Sequence, residues 1–111
     1  MRENKVILTI EAIYDVAEMA DYIERNFSVE KADKFQKAMK EQLSMLETLG
    51  SIFGTTGFYY KRYAIHKKPF PPILIFYIIK ESAKEIHILR ILREERNWER
   101  ILKEQQEYTY M

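Results

Sequence analysis

Cationic side chains crowd the second half of this chain, and their types favour phosphate as a ligand. Residues 58–111 hold eleven Lys and Arg against seven Asp and Glu, whereas residues 1–57 hold seven against ten. The halves therefore carry +4 and −3 beneath a net charge of +1. Such an asymmetry can place positive potential on one face, and unequal but solvated charge is the plain alternative. Arg62, Arg90, Arg93 and Arg96 each bring a planar guanidinium that matches phosphate oxygens and stays charged, and Lys61, Lys67 and Lys68 add point charges. Proton transfer is harder to staff. His66 and His87 are the only histidines, and a histidine in a strand is more often a satisfied structural residue than a catalyst. Tyr59, Tyr60 and Tyr63 suit stacking on bases, or packing in a core. Two distant histidines and scattered acids lack metal-ligand spacing. No glycine-rich phosphate loop or nucleophile elbow appears, so neither metal nor cofactor is expected.

These residues must be positioned by a small set of elements. Lys5-Val6-Ile7-Leu8 reads as a short strand. Thr9 sits where a helix N-cap belongs, and Ile13, Val16, Ala17, Ala20, Ile23 and Phe27 recur at helical spacing. Ser28 is the next cap. Ala32, Phe35, Met39, Leu43 and Leu46 form a second stripe, and Gly50 stands at the position of a C′ glycine. The short connection predicts an antiparallel helical hairpin. Residues 50–57 read as a loop, 58–66 as one strand, and 67–72, with three prolines, as a turn or an edge. Residues 73–79 are apolar on both faces, the mark of a central strand. Residues 80–84 read as a hairpin turn, and 85–92 as a last strand. Asn97 caps a final helix, with Trp98 as a helix anchor, and residues 106–111 read as a loose tail. The order β-α-α-β-β-β-α, with segregated helices and strands joined by short turns, means an α+β domain with a helical hairpin packed on an antiparallel sheet.

Composition supports that picture. The 111 residues fit one domain, 1–111, and 47% hydrophobic residues can build a core without staples. The absence of cysteine excludes disulfides and thiolate metal sites and suits a reducing compartment. The N-terminal apolar run is too short for a signal peptide and nothing approaches a membrane span, so a cytoplasmic protein with no membrane partner is expected.

Three segments together resemble the RelE/ParE superfamily of type II toxins. They are Leu8-Thr9-Ile10-Glu11-Ala12 with Asp15-Val16 and Tyr22-Ile23, then Ile75-Phe76-Tyr77-Ile78-Ile79, then Ile86-His87-Ile88-Leu89-Arg90-Ile91-Leu92 running into Arg96-Asn97-Trp98. The likeness spans residues 5–102. It implies a toxin held inactive by a cognate antitoxin, in a toxin–antitoxin hetero-oligomer, with the antitoxin's segment wrapping the toxin. Two activities are known on this scaffold, ribosome-dependent cleavage of messenger RNA and poisoning of DNA gyrase, and fold does not choose between them.

RNA transphosphorylation needs a base for the 2′-hydroxyl, charge stabilisation at phosphorus and an acid for the leaving oxygen. Arg90 matches the family's strand arginine, and Lys61, Arg62 and Arg93 are expected to gather beside it on the side of the sheet that the hairpin leaves bare. The position that is often His in the family is Arg93 here, which removes the evident proton carrier. His87, His66 and a folded-back Tyr108 or Tyr110 are the substitutes. A plain pairing of Arg90 with Glu94 or Glu95 is the structural alternative. The missing acid/base pair tilts the reading toward a gyrase-type or undetermined target. A ribosome-dependent endoribonuclease is second, and a non-toxic partner-binding relative third.

Overall fold

The computed structural model describes residues 3–111. Strand β1 (Lys5–Leu8) leads into helices α1 (Ile10–Asn26) and α2 (Val29–Leu49). Four strands follow, β2 (Thr55–Tyr60), β3 (Tyr63–Phe70), β4 (Ile73–Lys80) and β5 (Glu85–Arg93), and then α3 (Trp98–Glu104). They make one five-stranded sheet of order β1-β5-β4-β3-β2. The architecture is α+β, with the hairpin on one face as expected. The sheet is not wholly antiparallel, because β1 pairs with β5 in parallel. The helical hairpin returns the chain to the sheet before the meander begins, and that crossover permits a parallel pairing.

Both helix caps form where the sequence places them. Thr9 Oγ1 accepts from the Ala12 amide and Ser28 Oγ from the Lys31 amide. The α1 and α2 stripes bury Ala12, Met39 and Leu46 against Ile73, Ile75, Tyr77, Ile86, Ile88 and Ile91. This is the first core, and β4 is buried on both faces from Ile73 to Ile78.

Gly50 is not a left-handed cap. Its backbone is right-handed helical and it opens a 3-10 turn, Gly50–Ile52. Its need for glycine is contact: a Cβ there would collide with Ile86 Cδ1. The Tyr77 hydroxyl donates to the Gly50 carbonyl at 2.6 Å, which seals the end of α2 onto the sheet.

The single strand expected over 58–66 is two strands. Lys61 and Arg62 form the turn between β2 and β3, with Tyr60 opposite Tyr63, and Lys61 adopts a left-handed φ of 55°. No Gly or Asn marks this turn, so a run of β-formers conceals it. Part of the expected 50–57 loop belongs to β2. The strand also runs on through Lys67, Lys68 and Pro69 to Phe70. Pro69 is tolerated because β2 begins opposite His66, so this stretch of β3 has β4 on one side and no strand on the other. Only Pro71-Pro72 forms the turn, and that peptide bond is cis.

The second face of the sheet is not bare. Tyr60, Ile65, Leu74, Phe76, Ile78, Leu89 and Leu92 carry a second core, closed by Leu102 of α3 and by Tyr108. The expected loose tail is docked. Ile10 N–H donates to the Thr109 carbonyl, and the Thr109 amide and hydroxyl both donate to Glu11 at 2.9 Å. Tyr108 is 7% exposed, packed edge-on against Tyr60 with ring centroids 4.8 Å apart. Aromatic burial and these bonds outweigh the absence of regular structure. Among the described residues, no helix is long and apolar enough to cross a membrane.

Candidate functional site

The residues around Arg90 are arranged by a bulge. Phe76 pairs with Arg90 and Tyr77 with Ile88, so Leu89 is an extra residue in β5. Ile86 and Ile88 face the helices, and simple alternation would send Arg90 there next. The extra residue shifts the phase. Ile91 takes the place on the helix side, and Arg90 shares the face of its partner Phe76.

β1 ends at Leu8, opposite Ile88, so β5 has an open edge just where Arg90 lies. Side chains of α1 close it. Thr9 Oγ1 lies 3.0 Å from the Ile88 carbonyl and 2.9 Å from that of Leu89. Asp15 accepts from the Ile91 amide at 2.9 Å. The two Asp15 oxygens also accept from Arg90 Nε and Nη2, at 2.8 and 2.9 Å, and Arg90 Nη1 donates to Gln105 at 2.8 Å. Arg90 and Asp15 side chains are 17% and 8% exposed. The hydrogen bonds to Asp15 hold the guanidinium in its charged form more firmly than usual, against the opposing effect of burial.

The structural alternative thus holds for Arg90, with a different partner. Glu95 pairs with Arg93 instead, and the carboxylate at Arg90 comes from α1. The sequence did carry a signal. Asp15 falls between Ala12 and Met19 on the apolar stripe of α1, where an acid needs a partner.

The four cations expected to gather do not meet. Arg93 is exposed at the Ile73 end of β5. With Arg96 it lines a groove of about 430 Å³ that also holds Met19, Tyr22, Phe27 and Phe35. Lys61 and Arg62 sit at the β2–β3 turn, on the far edge of the sheet and toward its opposite end. β4 and β3 lie between them and the Arg90 strand.

His87 is 5% exposed, and both ring nitrogens are occupied. Nε2 lies 2.9 Å from Glu85 and Nδ1 2.7 Å from the Tyr110 hydroxyl. The hydrogen bond from His87 holds the Glu85 carboxyl below its ordinary range, and burial pushes the Tyr110 phenol up to about 12. His66 Nδ1 lies 2.7 Å from the Phe53 carbonyl, so it must carry the proton, and the ring stacks on Tyr77. Lys68, read as part of a solvated pair, is buried under α2 and bonds Gln42, and burial lowers its pKa. Tyr108 and Tyr110 do fold back, as supports of the core and of His87. The Tyr108 hydroxyl is buried and has no hydrogen-bond partner among the described residues, and burial raises its pKa. Trp98 is an anchor, packed on Phe58 and Phe76. Among the described residues, no three of His, Asp and Glu converge as metal ligands.

Comparison with known proteins agrees with this fold. The chain is similar to a solved chain titled "Chromosomal ParDE TA system from P. aeruginosa", with a TM-score of 0.69 and 22% identity over 82% of this chain and 96% of that one. At that identity the likeness speaks for the fold. No curated protein sequence matches. Residues 6–98 match the family described as the ParE toxin of type II toxin-antitoxin system, parDE. That span takes in the capped α1, the apolar β4 and the Arg90 strand alike, and the chain belongs to the ParE toxin family.

Proposed function

We propose that this toxin stops growth by binding a gyrase-type target, not by cutting RNA. One observation carries the reading: the motif arginine, Arg90, spends its guanidinium on Asp15 and Gln105 in a half-buried network. A transphosphorylating site needs that cation free for phosphate, with an acid and a base beside it. Arg90 is instead a structural tie, both ring nitrogens of His87 are occupied, and His66 Nδ1 is held by the Phe53 carbonyl. Family membership implies a cognate antitoxin. The groove beside Arg93 and Arg96 suits its segment, since exposed Tyr22 and Phe27 offer apolar surface and the arginines favour acidic residues at the rim.

The test is induced expression without the antitoxin. Growth arrest with an SOS response, together with inhibition of supercoiling by purified gyrase, is expected. Cleaved messenger in a translating extract, with supercoiling intact, would transfer the case to the ribosome-dependent endoribonuclease. Unimpaired growth would make the chain a partner-binding relative.

A further inference from the structure

One margin of the second face carries four cations that sit on aromatic rings. Lys61 Nζ lies 5.4 Å from the centre of the Tyr60 ring. Arg62 and Lys80 each lie 5.3 Å from that of Tyr63. Lys67 Nζ lies 4.8 Å from that of Trp98. Tyr60, Tyr63 and Trp98 all belong to the second core or pack against it, and Lys67 alternates with its member Ile65, so the four cations share one face. None of them has a carboxylate within ion-pair reach among the described residues, whereas Arg25, Arg90, Arg93 and Arg100 all do. The nearby Glu85 is taken by His87, and Glu81 stands exposed in the turn after β4.

The rings order the cations without neutralising them. A ring face attracts an ammonium or guanidinium modestly and leaves its charge available to an anion. Lys61, Arg62 and Lys80 gather at the Tyr60–Tyr63 end of β3, and Lys67 stands roughly 13 Å further along the strand. A cluster with one more charge at that distance spans more than one phosphate group, and so matches a repeating polyanion better than a single phosphate.

We propose that this margin is a docking ridge for the phosphate backbone of a nucleic acid strand, independent of base sequence. The rings are largely covered by protein and by the cations themselves, so the contact is electrostatic and bases are not stacked. The inference goes beyond the target reading above and does not depend on it.

Fluorescence anisotropy of the full chain with a short labelled duplex DNA, and separately with a single-stranded RNA, tests it. If all four cations reach phosphates, the logarithm of the binding constant falls against the logarithm of salt with a slope of about −3 to −4 between about 50 and 200 mM. Reversing two of them in one variant, Arg62→Glu with Lys67→Glu, should weaken binding at least tenfold and flatten the slope by about two. Lys34→Glu with Lys40→Glu changes net charge equally on exposed positions of α2 and should do far less. Preference for DNA or for RNA names the source of the backbone. Equal losses from the two double variants, failure of both nucleic acids to bind, or a poly-glutamate peptide binding as tightly as either would overturn the proposal.

Discussion

Asp15 and Arg90 stand 75 residues apart in sequence and meet through two parallel hydrogen bonds of 2.8 and 2.9 Å. The same carboxylate takes the Ile91 amide. One acid on the first helix therefore both neutralises the arginine of the last strand and pairs that strand's backbone.

Removing Asp15 should be costly. Asp15→Ala leaves a guanidinium and a backbone amide without their acceptor and should destabilise the fold by about 3–5 kcal/mol. Urea denaturation reads this directly. Arg90→Ala should reduce growth arrest through loss of folded protein. The double variant Asp15→Leu with Arg90→Met should recover much of the stability. If that repaired protein folds but does not arrest growth, Arg90 has a role at the target as well.

Thr9 does two jobs with one hydroxyl, accepting from the Ala12 amide and lying within hydrogen-bond distance of the carbonyls of Ile88 and Leu89. Thr9→Val keeps the shape and loses both. A cost of about 1–2 kcal/mol is expected, and Thr9→Ser should cost much less. Similar losses for the two variants, measured by thermal unfolding, would mean that the methyl group matters and the hydroxyl does not.

Gly50→Ala places a methyl group against Ile86 Cδ1. Overpacking of this kind costs typically 1–3 kcal/mol. Ile86→Val removes that carbon, so adding it to Gly50→Ala should cost less than the two changes summed. A double-mutant cycle in urea measures the difference.

Acid should loosen the C-terminal segment before it unfolds the domain. Burial works against the charge on Glu11, but hydrogen bonds from Thr109 and the field of Arg90 outweigh it and hold the carboxyl below its usual range. A carboxylate lowered on folding adds stability above its unfolded pKa and loses it as pH falls through the folded one. The Thr109 amide should therefore exchange faster as pH drops below about 4, once corrected for intrinsic rates. In Glu11→Gln this extra pH dependence should vanish.

Most of the fold was legible because its signals are local. Thr9 and Ser28 announce their helices, the apolar stripes announce the faces those helices bury, and the unbroken apolar run 73–79 announces a central strand. What escaped depends on partners far away in sequence. The Lys61-Arg62 turn has no glycine to mark it, and Pro69 is allowed in β3 only because β2 stops short. The Leu89 bulge reverses the facing of every later residue in β5, so alternation could not place Arg90. The cationic character of the second half was visible. Its division among a buried tie, a groove rim and a separate edge was not, since that follows from strand order.

The closing of β5 by Thr9 and Asp15 also constrains how the molecule can be cut. Bonds that finish the sheet join residues 9–15 to residues 88–91, and Glu11 holds Thr109 beside them. A fragment lacking either region leaves carbonyls and amides of the surviving one facing water. Split halves should therefore be inert until recombined, and an insertion would be tolerated best in the exposed turn at Glu81–Ala83, away from this seam.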